Sequence, residues 1–124
     1  MERFRLDGRV AMVTGASAGL GARFARVFDE AGASVVLVAR RADRLEGLAA
    51  ELDDALVAPA DLADPEQRAS TVTAALERFG QVDVLVNNAG ILHMAPLLDI
   101  SVEDWDRTFD VNVRAMLLTT QVAA

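Results

Sequence analysis

A glycine-rich turn, "TGASAGLG" at residues 14–21, is the first stretch of this sequence whose residues suit a particular chemistry. It follows an apolar run and precedes an amphipathic one, which places it between a strand and a helix. In such a turn Gly15 allows a tight bend, Gly19 admits a phosphate close to the backbone, and Gly21 lets the helix pack closely against the strand. Free amides at the start of the helix favour an anion. The pattern predicts a phosphate-binding turn, and a purely structural turn is the alternative.

Two adjacent arginines, Arg40 and Arg41, end a second apolar run about 20 residues beyond the glycine turn. An acidic residue at this place favours the ribose hydroxyls of NAD, but Ala39 stands there instead. A guanidinium is always charged and offers several donors to a phosphate. We therefore expect NADP(H), with Arg40 and Ser17 contacting the 2'-phosphate and NAD as the alternative cofactor. A solvated arginine pair at a helix start is the simpler explanation.

Apolar runs and amphipathic stretches alternate along the whole chain. The four runs are residues 10–14, 34–39, 55–60 and 82–87, and their unbroken valine and leucine content is typical of strands buried on both faces. Helices are predicted between them, the second over residues 42–53. The third is predicted to have Asp64 as its cap, Gln67 in a capping box and Gly80 after its last turn. Alternation with short connections predicts an α/β fold with a doubly wound parallel sheet.

The last predicted helix begins at Ser101. Its apolar residues recur at helical spacing and are expected to share one broad face: Trp105, Phe109, Val113, Met116, Leu117 and Thr120.

Composition excludes several kinds of function. The 12 basic residues are outnumbered by 19 acidic ones, which argues against a nucleic-acid or anionic-membrane partner. Cysteine is absent, so disulfides and thiolate metal sites are excluded, and no metal site is predicted. No apolar run approaches the length of a membrane span, and the charged amino terminus has no apolar signal core. We therefore expect a soluble, cytoplasmic protein.

Four motifs in order resemble those of the short-chain dehydrogenase/reductase family. They are the glycine turn itself, "DL" at residues 61–62, "NNAG" at residues 87–90 and "VNV" at residues 111–113. The resemblance covers essentially all 124 residues and implies a Rossmann-type fold, here with only the first four strands and their helices. It implies cofactor contacts at Thr14, Gly15, Ser17, Gly19, Leu20, Gly21, Arg40, Asp61, Leu62, Asn88, Ala89, Gly90 and Val111.

The resemblance also implies what several of these residues do. The Asp61 carboxylate would accept a hydrogen bond from the adenine amino group, while the Leu62 amide contacts the ring. Asn88, with the backbone of Ala89 and Gly90, would lie beside the nicotinamide ribose. Without the resemblance, Asp61 would be interpreted as a loop cap and "NNAG" as a strand-ending turn.

Catalysis in this family depends on a tyrosine made more acidic by a lysine, together with a serine and an asparagine. Only the asparagine has a counterpart here, at Asn112. The sequence contains no tyrosine, and all 12 of its basic residues are arginines. The chain alone is therefore predicted to be catalytically incompetent. His93, the single histidine, is interpreted as a surface or pocket residue rather than a substitute acid.

Two functions remain open. In the first, residues 1–124 form one NAD(P)-binding Rossmann domain, incomplete at its carboxyl end, of an oxidoreductase acting on a small carbonyl or alcohol substrate. In the second, the chain is a noncatalytic dinucleotide-binding module. A reading frame that continues into Tyr-x-x-x-Lys would support the first. A genuine stop with a stable product would support the second.

The sheet predicted from the sequence has a cost in stability. Its fourth strand would leave an edge exposed, and the last helix carries apolar residues on more than one face. We expect the isolated chain to be marginally stable and to associate, and a full-length protein to be a homo-oligomer.

Overall fold

The computed structural model describes residues 4–92 and 94–124, and it contains one parallel sheet flanked by helices. The strand order is β3-β2-β1-β4, with parallel pairing throughout. The predicted α/β doubly wound sheet is confirmed. The elements in chain order are β1 (Val10–Thr14), α1 (Gly19–Glu30), β2 (Ser34–Val38), α2 (Ala42–Ala49), β3 (Ala55–Val57), α3 (Pro65–Phe79), β4 (Val84–Val86), α4 (Val102–Phe109) and α5 (Ala115–Ala123).

Strand β1 is the centre of the sheet and lies between β2 and β4. Its register aligns Val13 with Leu37 on one side and with Val86 on the other. Every residue of β1 is buried, because helices cover both faces of the sheet. One face packs against α1 and α2 through residues such as Ala25 and Leu45, and the other packs against α3 through Val72. This double covering explains the unbroken apolar runs.

Several elements are shorter than the sequence predicted. The strands β2, β3 and β4 stop one to three residues early, where their carboxyl ends diverge into loops. The second helix ends at Ala49 instead of reaching residue 53. The amide of Asp53 donates to the Asp29 carboxylate at 2.9 Å, so this residue is bound to α1 and does not continue the helix.

Helix α3 has the predicted ends, with one difference in its cap. The Asp64 carboxylate accepts from the amides of Glu66 and Gln67, and Gly80 ends the helix at a φ of 78°. However, the Gln67 side-chain oxygen accepts from the amide of Asp61 at 2.8 Å, whereas a capping box would direct it to Asp64. Gln67 therefore stabilises the loop that follows β3.

The last helix is interrupted by one wide turn. A π-helical segment, Asp110–Arg114, joins α4 to α5 without a break in the helical backbone. The predicted apolar face is not the buried one: Trp105 is 55% exposed and Leu117 is 56% exposed. The buried residues in and after the wide turn are the smaller Val111, Ala115 and Thr119.

Within residues 4–92 and 94–124, no helix is both long enough and apolar enough to span a membrane.

Candidate functional site

A cleft of about 260 Å³ opens at the carboxyl ends of all four strands. This is the edge of a doubly wound sheet at which ligands bind, at the point beside β1 where the order of the strands along the chain reverses. Residues from every strand end contribute to its wall. The lining residues are Gly15, Ser17, Val38, Ala39, Arg40, Arg41, Arg44, Ala60, Asp61, Leu62, Ala89, Gly90, Ile91, Arg107 and Val111.

The glycine turn packs closely against the turn after β4. Gly15 has a φ of 65°, and a Cβ atom there would lie 3.0 Å from the Ala89 backbone. A Cβ atom at Gly21 would overlap the Gly15 carbonyl and lie 2.7 Å from the Asn88 side chain. Glycine is therefore required at both positions by the protein's own packing. Gly21 was predicted to pack against the strand, and it packs against the turn that follows the strand.

The start of α1 faces open space. Gly19 has a φ of 59°, and a Cβ atom built on it would meet nothing within 4 Å. Among the residues that the structure describes, no side chain caps this helix at Ala18, and no acidic residue lies in its first turn. The positive end of the helix dipole is thus left for an external anion. Leu20, in the same turn, is 67% exposed.

Thr14 connects the turns after β1 and β4. Its hydroxyl donates to the Val86 carbonyl at 3.1 Å and accepts from the amides of Asn88 and Ala89 at 2.9 and 3.0 Å. A hydroxyl has one donor and two acceptor positions, so this one is fully used. The Asn88 side chain donates to the Gly15 carbonyl at 3.3 Å. These two residues therefore hold the cleft in shape, and the Thr14 hydroxyl has no capacity left for a ligand.

Three arginines line the cleft after β2, and their surroundings differ. Arg41 is bound to Asp43 through two hydrogen bonds of 3.2 and 3.0 Å. This pairing lowers the pKa of Asp43. Arg40 and Arg44 line the same cleft, and Ala39 supplies no opposing carboxylate at the strand end. Arg40 was predicted from the sequence and Arg44 was not. Arg44 could have been found from its place in the first turn of the helix that follows Arg40.

Asp61 also lines the cleft and is already hydrogen-bonded. Its Oδ2 accepts from Arg107 Nη1 at 2.9 Å, and its Oδ1 accepts from the Ala63 amide at 3.1 Å. The hydrogen bond from Arg107 is the main reason that the pKa of Asp61 is lowered. Each carboxylate oxygen has a second lone pair, so Asp61 can still accept from a ligand. Arg107 was not predicted as a partner of Asp61, because it is 46 residues away along the chain.

Asn112 is held on the backbone of the loop after β4. Its Oδ1 accepts from the Ile91 amide at 2.7 Å, and its Nδ2 donates to the Ile91 carbonyl at 2.8 Å. Asn112 lies in the wide π turn, and neighbouring Val111 lines the cleft. The predicted residues Thr14, Gly19, Leu20, Gly21, Asn88 and Asn112 do not line it directly. His93 lies outside the described residues.

Residues 9–124 match the model of the protein family described as "short chain dehydrogenase". This chain belongs to the short-chain dehydrogenase family. The curated relatives include the D-threitol dehydrogenase of Mycolicibacterium smegmatis, which is 38% identical over 122 residues. That alignment covers 95% of this chain and 47% of the relative. An uncharacterised oxidoreductase of Methylorubrum extorquens is 39% identical, with 97% of this chain and 50% of the relative covered.

Solved short-chain dehydrogenases have the same fold as this chain. One from Burkholderia cenocepacia, in complex with NADP, has a TM-score of 0.92 and 39% identity. The match covers 96% of this chain and 51% of that one. A glucose/ribitol dehydrogenase from Brucella melitensis also has a TM-score of 0.92, with 32% identity, 97% of this chain and 52% of that one covered. This short-chain dehydrogenase chain therefore spans about half the length of the relatives it matches.

Proposed function

We propose that this chain binds NADP(H) in the cleft at the strand ends, as the cofactor-binding part of a short-chain oxidoreductase. The reaction would transfer a hydride between the nicotinamide and a carbonyl or alcohol substrate. The observation that carries the proposal is a cleft lined by Gly15 and Ser17 of the glycine turn together with Arg40 and Arg44, where that turn leads directly into the uncapped start of α1. These groups match the pyrophosphate and the 2'-phosphate of the cofactor. The NADP complex of a similar protein supports the same choice.

The residues present suit a dinucleotide in shape as well as in charge. Gly19 leaves open space beside the helix start, and the close packing of Gly15 against Ala89 keeps the cleft floor fixed. Asp61 provides an acceptor on one wall, which suits the adenine amino group. Asn88 and Gly90 lie at the β4 end, where the nicotinamide ribose would sit.

Binding and catalysis are separable in this chain. When bound, the cofactor supplies the hydride; the chain's own part is to bind and orient the nucleotide. No tyrosine or lysine is present to donate a proton to the substrate oxygen. We therefore expect the 124-residue chain to bind NADPH without turnover. Turnover of NADPH with any carbonyl substrate would contradict this expectation.

Cofactor preference tests the proposal directly. Dissociation constants for NADPH and NADH can be measured by nicotinamide fluorescence. We expect NADPH to bind about 10- to 100-fold more tightly, since a charge-assisted hydrogen bond contributes about 1.5–3 kcal/mol. Substituting Arg40→Gln or Arg44→Gln should weaken NADPH binding about tenfold and leave NADH binding unchanged.

Arg41→Gln is the matched control for these two substitutions. It removes the same charge from the same cleft, but this guanidinium is already bound to Asp43. We expect less than about a twofold change in NADPH affinity. Tighter binding of NADH than of NADPH by the unaltered chain would overturn the assignment of the cofactor.

A further inference from the structure

The ion pair between Arg107 and Asp61 joins two distant parts of the cleft. Asp61 follows β3, and Arg107 lies on α4, five residues before Asn112 on the same helical rod. Both side chains are about two-thirds covered, with exposed fractions of 31% and 30%. By contrast, Arg41 and Asp43 are 61% and 68% exposed. Partial covering reduces solvent screening, so the Arg107–Asp61 pair holds its geometry better than an open surface pair.

The Asp61 carboxylate is fixed from several directions. Arg107 binds Oδ2, the Ala63 amide binds Oδ1, and the amide of Asp61 itself donates to Gln67. The hydrogen bond from Arg107, followed by that from the Ala63 amide and by the charge of Arg107, lowers the pKa of this carboxyl and so favours its ionised form. An ionised and oriented carboxylate is a good acceptor for an amino group on a planar ring. Both Asp61 and Arg107 line the cleft, and each carboxylate oxygen keeps one lone pair beyond the hydrogen bond that it already accepts.

Helix α4 lies largely at the surface, and the Arg107–Asp61 ion pair is one of the contacts that hold it to the rest of the fold. None of its residues from Val102 to Phe109 is buried, and Arg107 and Thr108 are its half-covered positions apart from the junction with the π turn. Arg107 therefore attaches this helix to the sheet through the same carboxylate that faces the cleft. A ligand bound to Asp61 would therefore affect α4, which continues into the π-helical segment that contains Asn112.

We propose that Arg107 is a positioning residue, which fixes the Asp61 carboxylate for the adenine amino group and thereby couples nucleotide binding to the docking of α4. This role rests on the proposed function. Arg107 acts through Asp61, and Asp61 makes the contact with the base. The helix and the adenine site then stabilise each other, because each favours the same orientation of one carboxylate.

The test uses a pair of cofactors that differ at one position of the base. Nicotinamide hypoxanthine dinucleotide phosphate, reduced form, carries an oxo group where NADPH carries the adenine amino group. The unaltered chain should prefer NADPH about tenfold, because the oxo group cannot donate to Asp61. In Arg107→Gln the preference should fall to about threefold or less, and Arg107→Lys should restore most of it. A ratio of two affinities does not change when only the folded fraction changes.

Three further variants separate positioning from folding. Asp61→Asn should lose the same preference, and the double variant with Arg107→Gln should be no worse than either single variant, since both act on one contact. Arg114→Gln is the matched control, because it breaks an ion pair with Asp110 on the same helical rod but outside the cleft. It should keep the full preference. If circular dichroism shows that Arg107→Gln does not fold, the base preferences of Arg107→Lys and Asp61→Asn test the proposal instead.

Hydrogen exchange tests the coupling to the helix. Adenosine 2',5'-bisphosphate, which lacks the nicotinamide half, should slow exchange of the amides in residues 102–109 of the unaltered chain at least about threefold. It should slow them less than half as much in Arg107→Gln. Unchanged base preference or unchanged protection in Arg107→Gln would overturn this role alone. If the unaltered chain binds neither dinucleotide, the proposed function fails as well.

Discussion

At Gly21 the space for a side chain is set by the Gly15 carbonyl and the Asn88 side chain. A Cβ atom would overlap the first and lie 2.7 Å from the second. Gly21→Ala should therefore push α1 away from the glycine turn. We expect a loss of about 1–3 kcal/mol in the free energy of unfolding and weaker NADPH binding. Urea denaturation and fluorescence titration measure the two effects.

Gly47 offers a matched control for that substitution. It lies within α2, and a Cβ atom there would meet nothing within 4 Å. Gly47→Ala should stabilise the chain by about 0.5–1 kcal/mol, because alanine loses less backbone entropy in a helix. If Gly21→Ala and Gly47→Ala changed the free energy of unfolding equally, overlap with the Gly15 carbonyl would not be the reason that position 21 needs glycine.

The acid stability of the chain should report on Asp61. Its pKa is lowered in the folded state, chiefly by the hydrogen bond from Arg107. Such a group contributes its full stabilisation above its unfolded pKa, about 3.9, and loses it as the pH falls through the lower folded pKa. The stability difference between the unaltered chain and Arg107→Gln should be constant from about pH 5 to 7 and shrink below about pH 4.

Removing the titrating group checks this assignment. In an Asp61→Asn background, Arg107→Gln should have the same effect at every pH, measured by urea denaturation. A pH-dependent effect that persists without the Asp61 carboxyl would locate the titration at another group.

The wide turn in the last helix determines how Asn112 is placed. Asn112 binds both the amide and the carbonyl of Ile91, and so connects this helix to the loop after β4. Asn112→Ala would leave two partly buried backbone groups without these partners. We expect a loss of about 1–3 kcal/mol in the free energy of unfolding and faster amide exchange in residues 88–92.

Gln121→Ala is the control for Asn112. It removes an exposed amide side chain from α5 on the same helical rod. Its effect should stay within about 0.5 kcal/mol. Exchange in residues 88–92 that is as slow in Asn112→Ala as in the unaltered chain would contradict a connecting role for Asn112.

The sequence predicted the sheet better than it predicted the last helix, for a physical reason. Strands buried on both faces need unbroken apolar residues, so the apolar run at residues 10–14 was enough to predict β1. Helical periodicity groups Trp105 with the other apolar residues of the last helix but does not indicate which side is buried, and composition does not reveal the π turn at Asp110–Arg114. Long-range partners were also invisible: nothing in the local pattern around Asp61 indicates Arg107.

At the scale of the whole molecule, the carboxyl-terminal third presents an extensive apolar surface. Most of the exposed large apolar side chains among the described residues lie between residues 92 and 122, and exposed apolar side chains in such numbers favour association. Strand β4 also forms one edge of the described sheet. The exposed residues of this segment are Leu92, Met94, Leu97, Leu98, Ile100, Val102, Trp105, Phe109, Val113, Met116, Leu117 and Val122.

We expect the purified chain to associate at micromolar concentration through this surface. Size-exclusion chromatography with light scattering should show a mass above the 13.2 kDa of one chain. Leu117→Glu, at a side chain that is 56% exposed, should raise the monomeric fraction because it places a charge within the apolar surface. Gln121→Glu adds the same charge one turn later without removing an apolar side chain, and should change that fraction much less. A monodisperse monomer that melts cooperatively would contradict the expectation, since the apolar surface would then be tolerated in water.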